Sequence, residues 1–269
     1  MKYLLSLPGV GGYYGATIGA ATIIIDRIKK KDPKATIHYS GVSSGAICGL
    51  MLLILSLSLS IKDKANQCER KHILRMHKRF IKCINEIGKW SENVYDYYHN
   101  NDLFFAGLAR FVKKYVKDVE MINNRLHIGY CKVLEDTNEL EFVVVSEFYD
   151  VDDLINALFA SSHYSLFLRN QKYYEFRNQK CVDGVFMDQN VHLPDYVNLK
   201  ICPSLIDEIS IFEKMLIPCH DKFVRLYEYG VQVQKSQKKL IKFNLTENDK
   251  LDQQQNTDSW IWDIVSMIM

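Results

Sequence analysis

The residues with the most evident chemistry lie in Gly41-Val42-Ser43-Ser44-Gly45, a Gly-x-Ser-x-Gly run centred on Ser43. That spacing suits a sharp strand-to-helix turn that lifts a serine hydroxyl out of a sheet as a nucleophile. The flanks fit: Ala35-Thr36-Ile37-His38-Tyr39 is a short β-prone run, and a long apolar run begins at Ala46. A Cβ at Gly41 or Gly45 would crowd the backbone of so tight a turn. The helix that follows aims its first N–H groups at the serine, which favours a developing oxyanion. Gly and Ser also build ordinary turns, so the motif needs support from elsewhere in the chain.

Two further stretches offer it. Cys181-Val182-Asp183-Gly184-Val185 ends a short apolar strand with a carboxylate on a turn. It reads either as a common Asp-Gly turn or as a base, Asp183, aimed at Ser43. Near the start, Tyr3–Leu7 reads as a buried strand that runs into Pro8-Gly9-Val10-Gly11-Gly12-Tyr13-Tyr14-Gly15 and then a closely packing helix. Val10 and Tyr14 break the G-x-G-x-x-G dinucleotide pattern, and no Gly-Lys-Ser/Thr follows. The remaining readings are a plain tight turn, or an oxyanion hole made by the N–H groups of Gly11 and Gly12.

The elements that must carry these residues can be read in order. After the first helix, closed by Lys29-Lys30-Lys31-Asp32-Pro33, come the second strand and the elbow. Ala46–Ile61 is uncharged, yet shorter than the ~20 residues a spanning helix needs, so a buried core helix is expected. The alternation Leu55-Ser56-Leu57-Ser58-Leu59-Ser60 breaks the helical period there. Lys62–Lys82 leads an amphipathic helix with a basic face, Ile73, His77, Phe80, Ile84 and Ile87 recurring on the other. The basic face is a solvated surface or a site of attraction to an anionic bilayer, and His77 is a packed histidine. Tyr95–Val119 is expected to be helical, with the reach to act as a lid. Arg125–Val133 and Leu140–Ser146 read as two strands about a polar turn, and Asp152–Ser161 as a short helix with acids in its first turn. A strand and turn over Lys200–Ile217 and a helix over Phe223–Phe243 complete a domain spanning residues 3–243. Residues 244–269 read as a polar linker and a short amphipathic segment with Trp260 and Trp262, too short to cross a bilayer.

The glycine loop Gly9–Gly15, the Ser43 motif and Asp183-Gly184, in that order, resemble the patatin-like phospholipase family. Ala157-Leu158-Phe159-Ala160-Ser161-Ser162 also resembles the Ala-Ser segment that family carries ahead of its aspartate. The resemblance implies a three-layer α/β/α fold with a mostly parallel central sheet, and a Ser-Asp dyad that hydrolyses lipid acyl esters without metal or cofactor. It maps the nucleophile onto Ser43, the base onto Asp183, the oxyanion donors onto Gly11, Gly12 and the N–H of Ser44, and the motif glycines onto Gly41, Gly45 and Gly184. It implies a phospholipid or acylglycerol substrate met at a lipid surface. The chain departs from the family pattern at Val10, Tyr14, Ser165 and Val185.

Composition narrows the alternatives. The 269 residues are 48% hydrophobic and carry a formal charge of +2, which gives no footprint for nucleic acid. Seven cysteines show no CxxC pair or zinc spacing and read as reduced, buried thiols of an intracellular protein, cytoplasmic or peripheral at a membrane, with no evident signal peptide. Two rival readings remain: a Ser-His-Asp α/β-hydrolase with His192 or His220 as base, and a catalytically weak lipid-binding module.

Overall fold

The computed structural model describes residues 1–58, 70–88, 94–163, 172–187, 191, 193–201, 220–237 and 241–242. The region 244–269, His192 and Ser165 lie outside the described residues. The chain alternates strand and helix from its start: β1 (Lys2–Leu7), α1 (Tyr14–Lys31), β2 (Thr36–Val42) and α2 (Ser44–Ser58). Then follow α3 (Arg70–Asn85), α4 (Val94–Tyr115), β3 (Leu126–Val133), β4 (Leu140–Val145) and α5 (Val151–Ser161). The last described elements are β5 (Tyr174–Phe176), β6 (Gln179–Asp183), β7 (Val197–Lys200), α6 (His220–Ser236) and β8 (Ile241–Lys242).

All described strands join one sheet in the order β5-β6-β3-β2-β1-β7-β8, with β4 also paired to β3. Its centre, β3-β2-β1-β7, is parallel, and antiparallel pairs close both sides. With helices flanking the sheet, this is the mixed α/β architecture expected of a three-layer α/β/α fold.

Strand period separates two faces. Leu5, Leu7, Ile37, Tyr39, Leu126 and Ile128 share the apolar face, are buried, and join the main core with α1 and α2. A Cβ on Gly49 of α2 would meet Leu126 at 2.9 Å and Tyr39 at 3.1 Å, so α2 lies directly on that face. The other face carries Ser6, His38, Ser40 and His127, all buried. Helices α1 and α6 touch backbone to backbone: a Cβ on Gly19 would sit 2.2 Å from the Tyr227 carbonyl, and one on Gly230 2.0 Å from that of Ala16. The expectation of a closely packing first helix is met there.

Several boundaries differ from the sequence reading. The serine-leucine alternation does not end α2 early, because Ser56 Oγ donates to the Leu53 carbonyl at 2.7 Å and so satisfies its polarity inside the helix. The basic helix α3 is described over Arg70–Asn85, with His77 buried on its inner side, and residues 62–69 of the expected run lie outside the described residues. Strand β7 ends at Lys200, paired with β1, and residues 202–217 of the strand and turn expected from there lie outside the described residues. The helix expected over Phe223–Phe243 is shifted toward the N-terminus, because the sheet edge at β7 takes Ile241 and Lys242 as an antiparallel strand. Strand β5, which forms a hairpin with β6, was not legible in the sequence.

Candidate active site

The site forms where two strands meet end to end on one edge of β3. Strand β2 pairs with Leu126–Gly129 of β3, and Val42 lies opposite Gly129. Strand β6 pairs with Tyr130–Lys132, and Asp183 lies opposite Tyr130. Both must share an edge, because β4 overlaps each of them along β3 and so occupies the other edge. The last residues of β2 and β6 therefore face each other across adjacent positions of β3, and the chain leaves β2 directly into Ser43. Residues distant in sequence are joined in this way.

Ser43 adopts φ 53°, the left-handed region that non-glycine residues seldom enter. It is half-buried, and its side chain lies near enough to the Asp183 carboxylate to favour that group's charged form. Its N–H is shared between two acceptors, donating to Ser161 Oγ at 2.8 Å and to the Ser161 carbonyl at 3.1 Å. The flanking glycines are sterically required. A Cβ on Gly41 would come within 2.5 Å of the Gly45 backbone, and one on Gly45 within 2.1 Å of the Leu7 carbonyl. Gly184 is equally confined, 2.7 Å from the Gly129 carbonyl at the Cβ position.

Asp183 is buried, at 2% exposure. Desolvation pushes its carboxyl up to about 7, against the opposing pull of the Val185 N–H hydrogen bond and of the nearby Ser43 side chain. The Val185 N–H donates to Asp183 Oδ1 at 2.9 Å, and the Asp183 N–H donates to the His163 carbonyl at 2.9 Å.

The glycine loop is fastened to the same elbow. The Val10 N–H donates to Ser44 Oγ at 2.9 Å, and a Cβ on Gly9 would lie 3.1 Å from Ser43 Cβ. Gly11 has φ 51° and opens a single 3-10 turn, Gly11–Tyr13, that leads into α1. The structure thus brings together Ser43, Asp183, Ser44, Gly41, Gly45 and Gly184, with the Gly11-Gly12 turn beside them. Val10, which breaks the family's glycine pattern, contributes a backbone N–H that any residue except proline would supply.

Of the two histidines of the rival triad, His192 lies outside the described residues and His220 packs elsewhere. His220 stacks on His77 with centroids 5.6 Å apart and Nδ1 atoms 3.4 Å apart. Sequence reasoning had not given the His163 carbonyl a place at the site, since a backbone contact leaves no residue-type signal. Among the described residues, no three His, Cys, Asp or Glu side chains converge as a metal site requires.

Fold and site together define a mixed α/β protein in which a serine and a buried aspartate lie near each other at the carboxyl ends of β2 and β6. No family model matches the sequence, and no curated protein matches it. Among solved structures, VipD from Legionella pneumophila is similar at 15% identity and a TM-score of 0.34, over 74% of this chain and 49% of that one. The chain therefore spans about half the length of that structure.

Proposed function

We propose that the chain is a serine acyl hydrolase acting on lipid esters, of the phospholipase A or lipase type. The observation that carries this reading is that the ends of β2 and β6 meet at adjacent positions of β3, which sets Ser43 beside a buried Asp183 whose carboxyl is raised to about 7. A serine hydroxyl is a weak nucleophile until a neighbouring base takes its proton. An ordinary carboxylate is too weak a base for that at neutral pH, and one raised toward 7 is matched to the task.

In the first step Ser43 Oγ attacks the ester carbonyl while its proton passes to Asp183. The tetrahedral oxyanion is held by the N–H groups of Gly11, Gly12 and Ser44, each donor of this kind typically contributing ~3–4 kcal/mol. Asp183 then returns the proton to the departing alcohol, leaving an acyl ester on Ser43. Water, deprotonated by Asp183, attacks that ester and releases the fatty acid, and the proton goes back to Ser43.

The lipid class is supported by α3. Arg75, Lys78 and Arg79 are exposed on it, and none pairs with a carboxylate among the described residues. Each such cation near an anionic bilayer contributes about 1 kcal/mol. No helix among the described residues is long and apolar enough to cross a membrane. Fatty-acid release from mixed phosphatidylcholine–phosphatidylserine vesicles tests the reading: the wild type releases acid and Ser43→Ala and Asp183→Asn do not. Equal release by all three would overturn it.

A further inference from the structure

The Ala-Ser segment at the end of α5 has no part in the chemistry above, yet it touches both members of the pair. Ser161 is fully buried, and its hydroxyl has a single hydrogen, donated to the Gly129 carbonyl at 2.6 Å. That bond turns the lone pairs of Oγ toward the Ser43 N–H, which approaches at 2.8 Å. Two residues on, the His163 carbonyl accepts the Asp183 N–H at 2.9 Å. A non-glycine residue at φ 53° persists only where its surroundings over-determine it. The Ser43 amide sits past the end of β2, so the Ser161 oxygens replace the ladder partner that β3 does not supply.

We propose that Ser161 is a positioning residue for the reaction: its hydroxyl bridges β3 to the elbow and sets the Ser43 backbone, while the same segment, through His163, holds the strand end that carries Asp183. The reaction half of this inference rests on the hydrolase reading above. The bridging half does not, because it concerns one amide and its partner. Displacing a reacting group by about 1 Å costs on the order of 100-fold in rate.

The test is Ser161→Ala, read by soluble-ester kinetics over pH and by amide hydrogen exchange. Expected are a kcat lowered at least about 10-fold with KM unchanged, and a pH midpoint still near that of wild type, since the burial of Asp183 is untouched. The Ser43 amide should exchange at least about 10-fold faster, while the Ile37 and Tyr39 amides of β2 keep their protection. Ser161→Cys, which preserves bulk but weakens both hydrogen bonds, should show the same pattern in smaller measure, and serves where the alanine variant unfolds. Wild-type kcat and unchanged Ser43 exchange in a folded variant would overturn the proposal. So would a pH midpoint that falls toward that of an ordinary carboxylate, which marks general loosening of the site. A wild type that hydrolyses nothing would sink the hydrolase reading instead, and the exchange result would still decide the bridge.

Discussion

Buried ionisable groups lie at both ends of the β2–β3 pairing, and the two ends behave oppositely. Toward the amino ends, His38 and His127 lie with ring centroids 6.3 Å apart, and the Tyr196 hydroxyl is 3.3 Å from His38 Nδ1. Burial lowers both imidazoles, His127 to about 4 with help from His38. At the carboxyl ends, burial raises Asp183 to about 7. One physical cause, loss of water around a charge, makes the bases weaker and the acid's conjugate base stronger. Only the second change suits proton transfer near neutral pH. The carboxyl ends also receive the start of α2 and the Gly11-Gly12 turn, whose backbone donors have no counterpart described around the histidines. Histidines alone do not make a triad: the sheet places these at the end without an elbow.

The largest effect that separates the two ends is loss of the nucleophile. Ser43→Ala should lower ester turnover at least about 1,000-fold, whereas His127→Phe should leave it within about twofold. Steady-state hydrolysis of a soluble ester reads both, and comparable losses would erase the contrast. Next is the elbow itself. Gly45→Ala forces a methyl group to within 2.1 Å of the Leu7 carbonyl, and should destabilise the fold by about 2–4 kcal/mol in a denaturant titration.

Smaller effects sharpen the electrostatics. Turnover should rise with pH through about 7, as Asp183 loses its proton and becomes a base. The folded carboxyl titrates above its unfolded value of 3.8, so native stability falls as pH climbs between those values. Asp183→Asn removes that penalty, and should raise stability at pH 8 by up to about 4 kcal/mol while abolishing turnover. At the other end the sign reverses. His127 titrates at about 4 when folded against 6.5 unfolded, so the stability it allows is complete above 6.5 and is lost as pH falls toward 4. Thermal melts should show His127→Phe losing about 1–2 kcal/mol less than wild type between pH 7 and pH 4.5.

The parts of the molecule legible in the sequence are those fixed by local sterics and period. Gly41 and Gly45 mark the elbow because no side chain fits there, and β3 and α5 lie close to their expected bounds. What local pattern does not report is long-range pairing. That β2 and β6 share one edge of β3 depends on contacts between residues far apart in sequence, and no periodicity carries that information. The same holds for Ser161, whose segment was recognisable only by resemblance and whose hydrogen bonds are tertiary. Strand β8 was misread because its residues continue a polar helical run, and only the open edge of β7 makes them a strand.

The central claim is that Ser43 is a nucleophile activated by Asp183. Intact-mass measurement after treatment with a fluorophosphonate tests it most directly, on wild type, Ser43→Ala and Asp183→Asn. The account predicts one adduct on the wild type, located to Ser43, none on Ser43→Ala, and labelling of Asp183→Asn slowed at least about 100-fold. An unlabelled wild type, or equal labelling of all three, would contradict it.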